Sequence, residues 1–259
     1  VERAVLLLGN FDVWTLLAIG IVLFFGMGWH EYAHALMANW WGDPTPREMG
    51  RLTPNPVVHI NWLGWAMFLL IGFGILGSVP LNPRRMRDGR WGMFWTAAAG
   101  PLMNLALAAL SALLLRFIGD PIAGINLMFG RGQFQVGAFD GVVMDFISLL
   151  LVVSVFYNVL LFVFNLLPFF PFDGWQMVLS LLPGSWLTDR SIPQFVRRDL
   201  RPLANLLRSP AYTWQAWAQV SQYVLFGLII LSFLPGLPSV LGWLIGQPTN
   251  SLTVWLLGI

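Results

Sequence analysis

The chain has no cysteine, its 14 basic residues are all arginine, and only 10% of its 259 residues carry a charge. The first absence excludes disulfides, thiolate metal sites and a cysteine nucleophile together. Without lysine there is no Schiff-base or amine catalyst. A soluble domain would carry about a quarter charged residues. Here the hydrophobic fraction is 57% and the mean hydropathy +0.71, which places the chain among multi-span membrane proteins in a lipid bilayer. A net charge of +2 with no soluble basic module argues against nucleic acid as a partner. The apolar run after Asp12 is too long for the core of a cleavable signal.

Spanning helices need about 20 apolar residues, and runs of that order begin at 13–40, 93–118 and 142–167. A shorter run at 62–79 holds four glycines, Gly64, Gly72, Gly74 and Gly77, and reads as a re-entrant or tilted element. The last hydrophobic region, 218–259, is broken by Pro235, Pro238 and Pro248, so one span and a short hairpin are expected there. The polar segment 46–60 reads either as an extended edge or as an irregular loop. These elements predict an all-α polytopic membrane protein. Its parts are a three-helix core, a re-entrant element, a candidate short β edge and a C-terminal helical extension. The expected division is a membrane core over 1–183, then a linker and hydrophobic extension over 184–259. Arginines at 47, 51, 84–90 and 190–208 mark the cytoplasmic side by the positive-inside bias, whereas 119–141 has only Arg131.

The chemistry-bearing signal is His30-Glu31-Tyr32-Ala33-His34, an H-E-x-x-H pattern. Residues four apart share a helix face, so both imidazoles reach one metal ion while Glu31 lies beside it as a general base. Ionisable groups at the end of an apolar helix are expensive and mark function; the plainer reading is a helix end whose polar residues face water. Two histidines need a third protein ligand, and the chain offers only His59 or a carboxylate. Asp173 stands out after Pro168 and Pro171. Spacing leaves it equally a ligand or a cap for a following helix over 175–182. Asp140 and Asp145 read as interfacial, and most of the 14 tryptophans as interface anchors.

Three motifs occur in order: His30-Glu31-x-x-His34, Ala99-Gly100-Pro101-Leu102-Met103-Asn104, and Asn165-x-x-Pro168-x-x-x-x-Asp173-Gly174. Together they resemble the site-2 protease family of intramembrane metalloproteases. The stretches Gly42-Asp43-Pro44-Thr45 and Gly50-Arg51-Leu52-Thr53-x-Asn55-Pro56-x-x-His59-Ile60 resemble its compact prokaryotic branch, which lacks a soluble regulatory domain. The resemblance implies one Zn2+ held by His30, His34 and Asp173, with Glu31 as general base. It implies peptide-bond hydrolysis in a transmembrane or membrane-proximal segment of a protein substrate. The expected setting is a prokaryotic cell membrane, with the site toward the cytoplasm. Asn61 stands where that branch has an aspartate, and the resemblance does not extend to the tail beyond Pro183.

Further catalytic candidates are His59, as a donor to the tetrahedral intermediate or a resting-state ligand, and the amides Asn104 and Asn165. Each amide either holds the substrate backbone or pins helices together. Two rival functions remain: a silent relative that binds membrane segments without cutting them, and a metal-gated transporter. An intact Glu31 argues against the first, and polar residues gathered at one depth argue against the second. A hydrolase for a small lipid-like substrate is a weaker third.

Overall fold

The computed structural model describes residues 12–65, 77–131, 139–181, 210–233 and 239–258. Three helices are long and apolar enough to cross a membrane: α1 (Val13–Trp40), α3 (Gly89–Ile118) and α5 (Phe139–Asn165). Between them lie the short α2 (Thr45–Glu48) and α4 (Pro121–Met128), with 3-10 turns at Pro56–Val58 and Pro83–Arg85. After α5 come α6 (Asp173–Leu181), α7 (Pro210–Phe233), a π-helical turn Gly242–Gly246, and α8 (Gln247–Leu257).

Aspartates set the helix starts. The Asp12 carboxylate accepts from the Trp14 and Thr15 amides at 2.8 and 3.0 Å, and Asp88 accepts from Arg90 and Trp91 at 2.9 and 3.1 Å. Each satisfies amides that a helix N-terminus leaves unpaired. The Asp88 cap starts α3 at Gly89, four residues ahead of the hydrophobic run.

α3 is the hub, packing against α1, α5 and α6. Its buried face is made of small residues, among them Ala97, Ala98, Gly100, Ala108 and Ala112, while Leu102, Leu110, Leu113 and Phe117 point outward. Small residues let backbones approach, and bulk outside suits lipid. The core continues through Ala18 and Val22 of α1 and Leu149, Val152 and Val153 of α5. The chain is therefore a membrane-embedded, all-α protein.

Among the described residues no sheet forms. Segment 46–60 is helical at both α2 and Pro56–Val58, and its β pairing is one isolated antiparallel bridge, Ile60 with Gly77. The candidate β edge thus reduces to that contact. Proline at 46 and 56 suits helix first turns, which favours the helical solution over an extended one. The interior of the re-entrant element, the arginine-bearing stretch 190–208, and Pro235 and Pro238 lie outside the described residues. In the C-terminal region the apolar helix Ala218–Ser232 is shorter than the three spans. α8 packs on α5 and α3, and the Arg116 guanidinium donates to the Leu256 carbonyl at 3.3 Å.

Candidate metal centre

His30 and His34 lie in the last three turns of α1, one turn apart on the face toward α3. At 1.5 Å per residue they sit roughly 15 and 9 Å from the helix end. Both rings are buried, at 3% and 7% exposure. Asp173 comes from the first turn of α6, which packs on α3. A close turn after α5 makes this placement possible: a Cβ on Gly174 would lie 2.3 Å from the Leu166 carbonyl oxygen.

The three side chains converge. His30 Nε2 is 3.1 Å from Asp173 Oδ2, His34 Nε2 is 3.3 Å from Asp173 Oδ1, and the two Nε2 atoms are 3.0 Å apart. Their outer nitrogens fix the tautomers. His30 Nδ1–H donates to Asn104 Oδ1 at 2.5 Å, and His34 Nδ1–H donates to the Thr96 carbonyl at 2.6 Å. Both acceptors are oxygens that cannot donate, so each neutral ring turns a bare Nε2 lone pair inward. Asp173 Oδ2 is buried and makes no hydrogen bond. Lone pairs facing one another beside a carboxylate repel unless a cation sits among them.

The dimensions fit such a cation. A tetrahedral zinc ion with bonds of about 2.0–2.1 Å separates its ligand atoms by roughly 3.3–3.4 Å, a little more than the 3.0 Å between the two Nε2 atoms and similar to the 3.1 and 3.3 Å from each to its own Asp173 oxygen. Gly100 leaves the room: a Cβ there would lie 2.3 Å from His34 Nε2 and 2.6 Å from His30 Nε2. Two histidines and one carboxylate, with the outer nitrogens held by protein oxygens, are the kind of donor set that catalytic zinc sites use. Among the described residues this is the group that can hold a metal ion.

Glu31 is buried beside the histidines at 5% exposure. Gly77 presses on it, since a Cβ there would lie 2.8 Å from Glu31 Cγ. The Ile60–Gly77 bridge therefore runs against the Glu31 side chain. Gly28 admits a second close approach: a Cβ there would lie 2.8 Å from Pro56 Cα, so the turn carrying His59 rests on α1.

His59 is 2% exposed, and its Nε2–H donates to the Thr53 carbonyl at 2.8 Å. Its Nδ1 is buried without a hydrogen bond and it lies outside the His–His–Asp group. Burial pushes its pKa down, so the ring is neutral at neutral pH. With Nε2–H engaged, the free nitrogen is an acceptor. A donor role requires the ring to release Thr53. Asn104 is fully buried against His30, whereas Asn165, at the end of α5, donates to the Leu161 carbonyl of its own helix at 3.0 Å.

Two participants escaped sequence reasoning. Thr96 acts through its backbone carbonyl, which no side-chain pattern reveals. Asn158, a buried amide on α5, accepts from Asn104 Nδ2 at 2.9 Å; its signal was an amide within an apolar run, the same that marked Asn104.

Comparison with known proteins shows the family of the chain. A model of peptidase family M50, the site-2 protease family, matches residues 15–198. The chain belongs to that family. A Bacillus subtilis (strain 168) protein named "Putative zinc metalloprotease YwhC" is 35% identical over 167 residues, covering 64% of this chain and 69% of the relative. No solved structure matches the chain. As a member of family M50 the chain is a membrane metalloprotease, and membership implies Zn2+, for which the buried His–His–Asp group has the right donors and spacing.

Proposed function

We propose that the protein is a multi-pass intramembrane zinc endopeptidase that hydrolyses peptide bonds in or beside transmembrane segments of partner proteins. The observation that carries this reading is the convergence of two histidine lone pairs and the Asp173 carboxylate in the space Gly100 leaves, with Glu31 buried alongside.

Zinc bound by His30, His34 and Asp173 would supply Lewis acidity, polarising a carbonyl and bringing the pKa of water to about 7. Glu31 takes the proton of the attacking water as its oxygen bonds to the scissile carbonyl carbon. It then hands that proton to the departing amide nitrogen as the C–N bond breaks, leaving an amine and a carboxylic acid, whose remaining proton then passes to the amine or to solvent. Thr96 and Asn104 hold the imidazoles in the tautomer that presents Nε2. Backbone beside the Ile60–Gly77 bridge offers an edge on which an extended substrate strand can lie against Glu31. His59 and Asn165 are proposed to contact that strand from outside the metal group, once His59 is released from Thr53 and Asn165 from Leu161.

The arginine-rich end of the bundle is assigned to the cytoplasm of a prokaryotic cell, with residues 1–183 as the proteolytic core and 184–259 as linker and extension. That end carries Arg47, Arg84, Arg85, Arg87 and Arg90, all exposed, and it is the end of α1 nearer the metal ligands.

The test is cleavage of a membrane-spanning reporter by the purified full chain in liposomes, with the cut mapped by mass spectrometry. Chelation should stop cleavage and added Zn2+ restore it, with the cut at the cytoplasmic half of the span. Cleavage that persists when zinc content is zero would overturn the assignment.

A further inference from the structure

Asn104 holds His30, but a primary amide holds a histidine in the right tautomer only if the amide itself cannot turn over. Reversed, Asn104 would aim N–H groups at His30 Nδ1, and the ring would answer by moving its proton to Nε2, where a metal must bind. What fixes Asn104 lies one layer out. Its Nδ2 donates to Asn158 Oδ1 at 2.9 Å and to the Gly26 carbonyl at 3.3 Å. Asn158 is fixed in turn: its Nδ2 donates to the Ser154 carbonyl at 2.9 Å and to Ser154 Oγ at 3.2 Å, leaving only Oδ1 to face Asn104. Ser154 Oγ and Ser111 Oγ share a hydrogen bond of 2.7 Å, closing the string onto α3. A Cβ on Gly26 would lie 3.0 Å from Asn158 Oδ1, so α1 leaves the amide little room to move.

We propose that Asn158 is a positioning residue for the metal centre: through Asn104 it locks His30 in the tautomer that presents Nε2 to the ion. The string His30–Asn104–Asn158–Ser154–Ser111 crosses all three spans; the directions from His30 to Ser154 follow from one another, while either hydroxyl can donate in the Ser154–Ser111 bond. It orients rather than conducts, because a neutral amide accepts on oxygen and donates from nitrogen and does not pass a proton along. Outer partners of this kind typically change metal affinity about 10–100-fold when removed. The Asn104–Asn158 contact is also an interhelical bond, so a packing contribution accompanies the orienting one and must be separated from it.

The proposal rests on the metal reading above, so the experiment first asks whether the wild-type chain in detergent binds Zn2+. If it binds none, the metal reading fails, and this inference with it. With binding established, Zn2+ affinity is measured against a competing chelator for wild type, Asn158→Leu and Asn158→Asp. The thermal stability of each metal-free form is recorded alongside. Asn158→Leu removes the acceptor for Asn104, whereas Asn158→Asp keeps an oxygen at the same place. We expect Asn158→Leu to weaken Zn2+ binding at least about tenfold, Asn158→Asp to recover most of it, and the 15N signals of His30 to show its proton on Nε2 in metal-free Asn158→Leu. Ser154→Ala, a milder change that loosens Asn158 without removing it, should fall between. Wild-type affinity in Asn158→Leu overturns the proposal. So does equal weakening in Asn158→Leu and Asn158→Asp that tracks lost thermal stability, since that is packing alone.

Discussion

At Gly100 the presence or absence of one carbon decides whether His30 and His34 can share an ion. Its imagined Cβ falls 2.3 Å from one Nε2 and 2.6 Å from the other, within the volume the ligand bonds must occupy. Gly100→Ala should therefore cost zinc binding at least about tenfold, equivalent to 1.4 kcal/mol, while the chain still inserts and folds. Metal content by atomic spectroscopy on purified protein checks this, and full zinc occupancy in the variant would contradict the geometry. The pairing of His30 and His34 was legible because histidines four apart need only a helix to meet. Asp173 was legible only through its motif; residue spacing left it equal to a helix cap, and in the structure it does begin α6 as well as face the histidines. The backbone carbonyl of Thr96 left no trace in the sequence, since any residue type supplies one.

Two of the three glycines of α1, Gly20 and Gly28, have opposite surroundings. Nothing lies within 4 Å of a Cβ at Gly20, whereas one at Gly28 would meet Pro56 at 2.5 Å, side chain and backbone together. Gly20→Ala should leave stability unchanged or slightly raised, while Gly28→Ala should cost about 1–3 kcal/mol by overpacking and lift the His59 turn from α1. Denaturation in mixed micelles compares the two, and equal effects would mean the Pro56 contact is absent. The long helices were evident from apolar length alone. Both ends of α1 and the far end of α3 fell where the apolar runs put them, whereas the start of α3 and the ends of α5 did not, because a run of hydrophobicity ignores caps such as Asp88 and α5 stops at Asn165 before the prolines. α6 is held at its far end as well: the Arg90 guanidinium donates to the Ser180 and Leu181 carbonyls at 2.5 and 2.7 Å, a pairing 90 residues apart that no local pattern contains.

Among the described residues, small side chains line the face of α3 toward its neighbours while large apolar ones such as Leu102, Leu110 and Phe117 face outward, as lipid allows; it was the shortage of charge and the long apolar runs that placed the chain among membrane proteins. The Glu48–Arg85 pair, bidentate at 2.6 and 2.8 Å, and the Arg87 bonds to the Trp40 and Trp41 carbonyls knit the loops at one end. Both Glu48 and Arg85 are exposed, so the pair serves loop geometry more than stability. Because the chain has no native cysteine, orientation can be read from single replacements. Arg84→Cys should react with an impermeant thiol reagent only from the cytoplasmic side, and Arg131→Cys only from the opposite one. The reverse labelling would invert the topology. In the proposed reaction Glu31 does the proton transfer, and the fold packs it between the Ile60–Gly77 bridge and the His–His–Asp group. The deciding measurement is the cleavage rate of a transmembrane reporter by wild type and by Glu31→Gln at equal zinc content. Loss of rate by about 10²-fold or more, with zinc retained, is the predicted result; a zinc-loaded Glu31→Gln that cuts as fast as wild type would contradict it.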